Sequence, residues 1–365
     1  MRVGFVIYGS LNSMTGGYVY DRKLAEHLED KGDHVEVLSI PWRSYPKHLM
    51  DNLSSNLADR LACAPLDILL QDELNHPSLF LLNYRLRPRV SYPIVSVVHH
   101  LRSCEEWSQP IRAFYRIIEQ KYLRTVHAFI FNSHATRLSV ANLLGRPEWG
   151  VIAYPGGNRL DTPLAEKDIV ARVARNGPLR LAFVGNLIHR KGLHGLLTTL
   201  ASMKNEPWEL SVAGSPEIDL KYTARIHRII TESGLEKRVH LLGALTDGAL
   251  AHLLKQSDLI AMPFSYEGFG IVYLEGMAYG LPALASRTGG AEEIVAHGKT
   301  GYLLAPGDGN TLAAIVRRLI GDRNELKGLS LAARRRFDEF PTWEETTARI
   351  RSFLLEVGHN AGRDP

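Results

Sequence analysis

Apolar and polar positions along this chain alternate between two periods. Short runs rich in β-branched and aromatic residues at 3–8, 35–40, 94–98 and 128–131 predict strands. Residues 20–31 and 111–123, lying among these runs, carry apolar side chains at helical spacing. The rhythm restarts at 179–184 and continues with strands at 209–213, 239–242, 259–262 and 282–285, and with helices at 193–202 and 222–233. Strands alternating with helices imply βαβ units and parallel sheets. Between the two sets lie Tyr154-Pro155-Gly156-Gly157 and a polar stretch running to Gly177-Pro178, the composition of a domain junction. The pattern therefore predicts an α/β protein of two doubly wound, Rossmann-like domains, 1–155 and 178–340. Loops at the carboxyl ends of both sheets are expected to face one central cleft.

The length of 365 residues suits two cores, and 45% hydrophobic with 22% charged residues is a soluble globular composition. A formal net charge of +4 is compatible with an anionic small ligand or membrane surface, and with no basic block it argues against a nucleic-acid partner. Cys63 and Cys104 are the two cysteines, without ligand spacing, and read as thiols of a reducing compartment. The apolar run before Gly9 lacks a small-residue cleavage site and reads as a strand, and no apolar run approaches the ~18 residues of a membrane span. A cytoplasmic location is expected.

The segment 262–275, MPFSYEGFGIVYLE, carries the most chemistry. It leaves a strand and opens a helix that stops at Gly280 with Pro282 beyond. Gly268 and Gly270, flanking Phe269, let the backbone turn tightly and approach a ligand closely. The free N–H groups at Ile271 and Val272 would then form an anion site. Glu267 precedes the helix and Glu275 lies within it, so their carboxylates would touch different parts of one extended ligand. A second loop, 185–192, contains Asn186, Arg190 and Lys191 between a strand and a helix, where a lysine can reach phosphate oxygens as a point charge. A third, 9–17, ends in Gly16-Gly17 but does not fit the dinucleotide fingerprint.

The spacing Glu267-x7-Glu275 in Glu-Gly-Phe-Gly resembles the signature of glycosyltransferase family 4. Gly280-Leu-Pro-Ala, Gly289-Gly290, Glu292-Glu-Ile-Val, Gly298-Lys-Thr-Gly-Tyr and the Gly16-Gly17 loop are similar to the same family's pattern. The resemblance implies a GT-B fold whose final helix, within 341–360, returns to the N-terminal domain. It also implies a retaining hexosyltransferase that uses a nucleoside-diphosphate sugar as co-substrate and needs no cofactor. By that likeness Glu275 would bind the ribose hydroxyls, and Glu267 with the backbone of 268–270 would hold the donor sugar. Lys191 and the helix N-terminus at Ile271 and Val272 would hold the diphosphate, Gly17 would close over it, and His99, next to His100, would contact the sugar. Where the family carries an arginine ahead of the lysine this chain has Asn186, and Arg190 is the nearest cation that could substitute. The other glycosyltransferase architecture often holds a metal with Asp-x-Asp; that motif is absent here, and no metal is expected.

The N-terminal domain is expected to bind the hydroxyl acceptor, whether glycan, lipid-linked or small molecule. Phe114, Tyr115, Ile117, Ile118, Tyr122 and Leu123 share a segment with Arg112, Arg116, Lys121 and Arg124. Two readings stand: a surface helix with its apolar face in the core, or a basic amphipathic helix peripheral on the inner membrane face. Asn132-Ser133 reads as a helix cap or an acceptor contact. A GT-B epimerase or phosphorylase and a catalytically silent nucleotide-sugar-binding protein are the alternatives to a transferase.

Overall fold

The computed structural model describes residues 1–13, 15–160, 162–263 and 266–361. Met14 of the 9–17 loop, and Phe264 and Ser265 of the 262–275 segment, lie outside the described residues. The chain forms two compact units, Met1–Gly156 with Pro341–Pro365, and Gly157–Phe340.

The first unit is built on β1 (Arg2–Tyr8), β2 (His34–Ile40), β3 (Ile68–Asp72), β4 (Ile94–Val98), β5 (Ala128–Phe131) and β6 (Gly150–Ile152). They form one sheet in the order β2-β1-β3-β4-β5-β6, with parallel pairing throughout. Strands β3, β4 and β5 are buried along their whole length, as expected for strands covered by helices on both faces. The helix Trp343–Ala361 belongs to this unit: the Trp343 ring meets Tyr20 at 5.7 Å, and Arg351 Nε donates to Asp33 Oδ2 at 2.7 Å.

The second unit is built on β7 (Leu179–Val184), β8 (Trp208–Ala213), β9 (Val239–Gly243), β10 (Leu259–Met262), β11 (Ala283–Ser286) and β12 (Gly301–Leu304). Its order is β12-β11-β10-β7-β8-β9, again all parallel. This is the doubly wound arrangement in which strand order reverses beside the first strand, here between β7 and β10.

The α/β architecture of two doubly wound sheets is as the sequence predicts, and β4, β5, β7 and β10 have the predicted bounds. Three strands escape the reading. The run β3 is five residues long, three consecutive apolar residues followed by Gln71 and Asp72, all buried, so it shows no alternation. The three-residue β6 sits at a sheet edge. The strand β12 opens on Gly301, which packs so tightly that a Cβ there would lie 2.2 Å from the Ala283 carbonyl. The polar stretch read as a junction is also more than a connection: it carries the helix Glu166–Val173 and packs within the second unit.

Candidate functional site

The order of the second sheet reverses between β7 and β10, the position at which open α/β sheets bind ligands. The β7 loop tightens into a turn at His189–Lys191, closed by Gly192, before the helix Leu193–Ala201. The β10 loop ends at Gly270, whose φ of 95° is left-handed, and the helix Ile271–Ala278 follows. The first bond to that turn runs from Tyr273 N to Gly270 O at 2.9 Å, so Ile271 and Val272 precede it with their N–H groups at the helix mouth.

The two loops meet through charge. Lys191 Nζ donates to Glu267 Oε2 at 2.6 Å, Arg190 Nη1 lies 3.7 Å from the same oxygen, and Arg190 also donates to the Tyr266 carbonyl at 3.2 Å. Gly289 and Gly290 cradle the loop from the next strand. Gly290 N donates to Glu267 O at 3.0 Å, and a Cβ on Gly289 would lie 1.8 Å from that carbonyl. The sequence reading gave Lys191 to phosphate and Glu267 to sugar; the structure joins them in one ion pair. Asn186 is not directed at these cations: its Oδ1 accepts from Ser215 N at 3.1 Å, tying the β7 loop to the β8 loop.

Glu275 is held apart from Glu267. Its side chain is 2% exposed, and its Oε1 accepts from Arg159 Nε at 2.7 Å. Arg159 also donates through Nη1 to Asp247 Oδ1 at 2.7 Å, at the start of the helix Asp247–Gln256. Burial raises the Glu275 pKa above the usual carboxylate value, and Arg159 works against that rise. At the far end of the helix Ile271–Ala278, the buried Arg172 donates to the carbonyls of Tyr279 and Gly280 at 2.6 and 2.9 Å. Those carbonyls close a helix whose negative dipole end a guanidinium stabilises. Arg159 and Arg172 both come from the stretch read as a junction, and the sequence reading missed both. The partners they donate to lie 88 to 116 residues away, so no local pattern announces them.

In the first unit the structure brings Gly17 and His99 together: a Cβ on Gly17 would lie 3.2 Å from the His99 ring. His99 Nε2 pairs with Asp21 at 2.9 Å, whereas the adjacent His100 pairs with Glu105 at 3.0 Å. Burial alone would lower the His99 pKa, but the surrounding Asp21, Asp72 and Glu73 outweigh it and push the imidazole up to about 9. Burial and the neighbouring Asp21 in turn raise Asp72 to about 7. Ser133 Oγ accepts from Thr136 N at 3.0 Å, so it caps the helix His134–Leu144, and Asn132 donates to the His99 carbonyl at 2.9 Å. The helix Gln109–Leu123 buries Tyr115, Ile118, Tyr122 and Leu123, yet leaves Phe114 42% and Ile117 52% exposed.

Residues 165–336 match the family model of glycosyl transferases group 1. Glycogen synthase of Mycobacterium tuberculosis is 34% identical over 189 residues, a match covering 50% of this chain and 44% of that relative, so the aligned region spans less than half of the relative's length. Among solved structures, sucrose-phosphate synthase from Thermosynechococcus elongatus superposes with a TM-score of 0.83 at 19% identity, covering 98% of each chain. HepE of Anabaena, solved in complex with UDP-glucose, gives 0.77 at 22% identity, covering 98% of this chain and all (100%) of that one. These likenesses agree with the GT-B architecture expected from the sequence. Among the described residues no helix is long and apolar enough to cross a membrane.

Proposed function

We propose that the protein is a retaining glycosyltransferase that moves a hexosyl group from a nucleoside-diphosphate sugar to a hydroxyl acceptor. The observation that carries this reading is the convergence of Lys191, Arg190 and Glu267 at the reversal point of the second sheet, beside an open helix N-terminus. The UDP-glucose held by HepE supports the same class of donor.

Transfer breaks the bond between the anomeric carbon and the β-phosphate oxygen, and that oxygen leaves with the electron pair. Preorganised cations and helix N–H groups facing the developing charge lower the barrier without a dedicated acid. Lys191 is suited to this role because its ammonium can divide itself between Glu267 and a phosphate oxygen. Glu267 is assigned to the hydroxyls of the sugar. The acceptor oxygen bonds the anomeric carbon on the face the phosphate leaves, and its proton passes to the departing phosphate. No protein base is needed, and in the absence of an Asp-x-Asp motif the charge is assigned to side chains and backbone rather than to a metal. His99 and Gly17, in the first unit, are assigned to the sugar and phosphate on the strength of the family likeness alone.

The acceptor is assigned to the first unit, with the exposed strip of Phe114, Ile117, Lys121 and Arg124 as a peripheral contact with anionic lipid. The test of the transfer reaction is direct. Nucleoside diphosphate should be released only when acceptor is added, and the product's anomeric proton should show the donor's configuration by NMR. An inverted product would end the retaining assignment, and release without acceptor dependence would end the transferase reading.

A further inference from the structure

The helix Ile271–Ala278 carries Glu275 in a place where an isolated carboxylate is costly. The side chain is 2% exposed, and a buried carboxylate with no partner takes up a proton instead of staying charged. A protonated carboxyl group has lost acceptor capacity and cannot take hydrogen bonds from two neighbouring hydroxyls as a carboxylate does. Arg159 supplies the compensating charge from a side chain that is itself only 9% exposed. Its Nε and Nη1 each make a bond of 2.7 Å, one to Glu275 and one to Asp247, so the guanidinium is fixed at two points. Asp247 follows the loop 242–245 at the end of β9, which the family likeness would place against the nucleotide base, and its side chain is 46% exposed.

We propose that Arg159 is the positioning residue of the nucleotide site, holding Glu275 as a carboxylate in the orientation that accepts the ribose hydroxyls and tying it to the base-side loop through Asp247. The inference rests on the reading of Glu275 as the ribose ligand. Arg159 itself touches no substrate. Its function is to set the charge and the direction of a group that does, and a second anchor at Asp247 makes the setting sensitive to whatever occupies the base pocket. The charged and titratable groups around this guanidinium are Glu275, Asp247 and Tyr279.

Removing the guanidinium should move Glu275 further in the direction burial already takes it. In an Arg159→Met protein the carboxyl then holds its proton to higher pH than in wild type, and the ribose contact strengthens as pH rises. Above pH 7 the terminal phosphate of a nucleoside diphosphate, with a pKa of about 6, contributes little change of its own. UDP affinity is therefore measured by calorimetry between pH 7 and 9 for wild type, Arg159→Met, Arg159→Lys and Glu275→Gln, with GDP or ADP replacing UDP if wild type prefers one of them. The expected result is a flat wild-type profile, and for Arg159→Met a Kd about tenfold weaker at pH 7 that recovers most of the loss by pH 9. Arg159→Lys, which keeps the charge, should give a flat profile and affinity within about threefold of wild type. Glu275→Gln should be weaker at every pH and flat.

The outcomes separate the two claims. If Glu275→Gln binds like wild type, the ribose assignment fails and the inference falls with it. If Glu275→Gln is weak but Arg159→Met matches wild type, or is weak by the same factor at pH 7 and 9, the ribose assignment stands and Arg159 does not set the charge of Glu275. Should Arg159→Met fail to fold, Arg159→Lys decides: loss of affinity as large as that of Glu275→Gln, with no dependence on pH, overturns the inference.

Discussion

Lys191 Nζ and Glu267 Oε2 lie 2.6 Å apart although 76 residues separate them, and the pair stands where the strand order of the second sheet reverses. Each residue belongs to a loop leaving the carboxyl end of a central strand, which is where open α/β sheets place their ligands. With both side chains less than one-fifth exposed, at 17% and 19%, the pair is held by the fold and not by chance contact at a surface.

If Lys191 stabilises the leaving phosphate, Lys191→Ala should lower kcat by about 10²-fold or more, the cost of removing a preorganised group that faces transition-state charge. Arg190 is farther from Glu267 and shares its guanidinium with the Tyr266 carbonyl, so Arg190→Ala should cost less. Glu267→Gln combined with Lys191→Ala should be far from additive, because the two side chains form one unit. Steady-state kinetics on the four proteins is the check. A silent Arg190→Ala, with Asn186→Arg raising activity despite loss of the Ser215 contact, would mean that Arg190 does not replace the arginine missing at 186.

Glu275→Ala and Glu275→Gln should behave differently. The alanine removes the partner of a buried guanidinium, a change worth roughly 3–5 kcal/mol of stability, kept toward the lower end because Asp247 remains. The glutamine retains an acceptor for Arg159 and should fold with a smaller loss. Nucleotide affinity should still fall by about 1–3 kcal/mol in Glu275→Gln, as for losing a hydrogen bond to a charged group. Calorimetric unfolding and titration of both variants check the two parts separately.

The fold was legible because buried parallel strands such as β4 and β10 are compact apolar runs bounded by polar or turn residues. The placement of Glu267, Glu275 and Lys191 was legible because glycines and charges cluster where strands pass into helices. Arg159 and Arg172 were hidden for a physical reason. A buried arginine is recognised by its distant partners, and a segment rich in charge and proline looks like a linker until those partners are known. The exposed strip on the helix Gln109–Leu123 was half legible: its spacing gave the amphipathic helix, but the sequence could not say that Phe114 and Ile117 face outward while Tyr115 and Ile118 face the core.

Transfer should survive EDTA. The described residues do bring Asp21, Asp72 and His99 within reach of one point, and likewise Glu73, His76 and Glu119. The His99 imidazole, pushed up to about 9, is protonated near neutrality and offers no lone pair to a cation; the second group, with His76 pushed down to about 4 by burial, belongs to the first unit, whereas the diphosphate is assigned to the second. Loss of activity in EDTA, restored by magnesium or manganese, would show that the diphosphate is neutralised by a metal.

Phe114, Ile117, Lys121 and Arg124 recur at helical spacing on the solvent side of one helix, so the protein should co-sediment with phosphatidylglycerol vesicles at low salt. Each cation near such a surface contributes about 1 kcal/mol, and salt screens it. Lys121→Glu with Arg124→Glu should abolish binding, and Ile117→Ser should weaken it at any salt. No sedimentation at low salt would assign the acceptor to the soluble class.

The central claim is that the second unit holds a nucleoside-diphosphate sugar through Lys191 and Glu275. Thermal unfolding with UDP, GDP and ADP tests it most directly, since a ligand that binds only the folded state stabilises it by about 2.7 kcal/mol at a hundred times its Kd. One of the three should raise Tm by several degrees, and the rise should shrink sharply in both Lys191→Ala and Glu275→Gln. No shift with any of the three, or a shift unchanged in those two variants, would contradict the account.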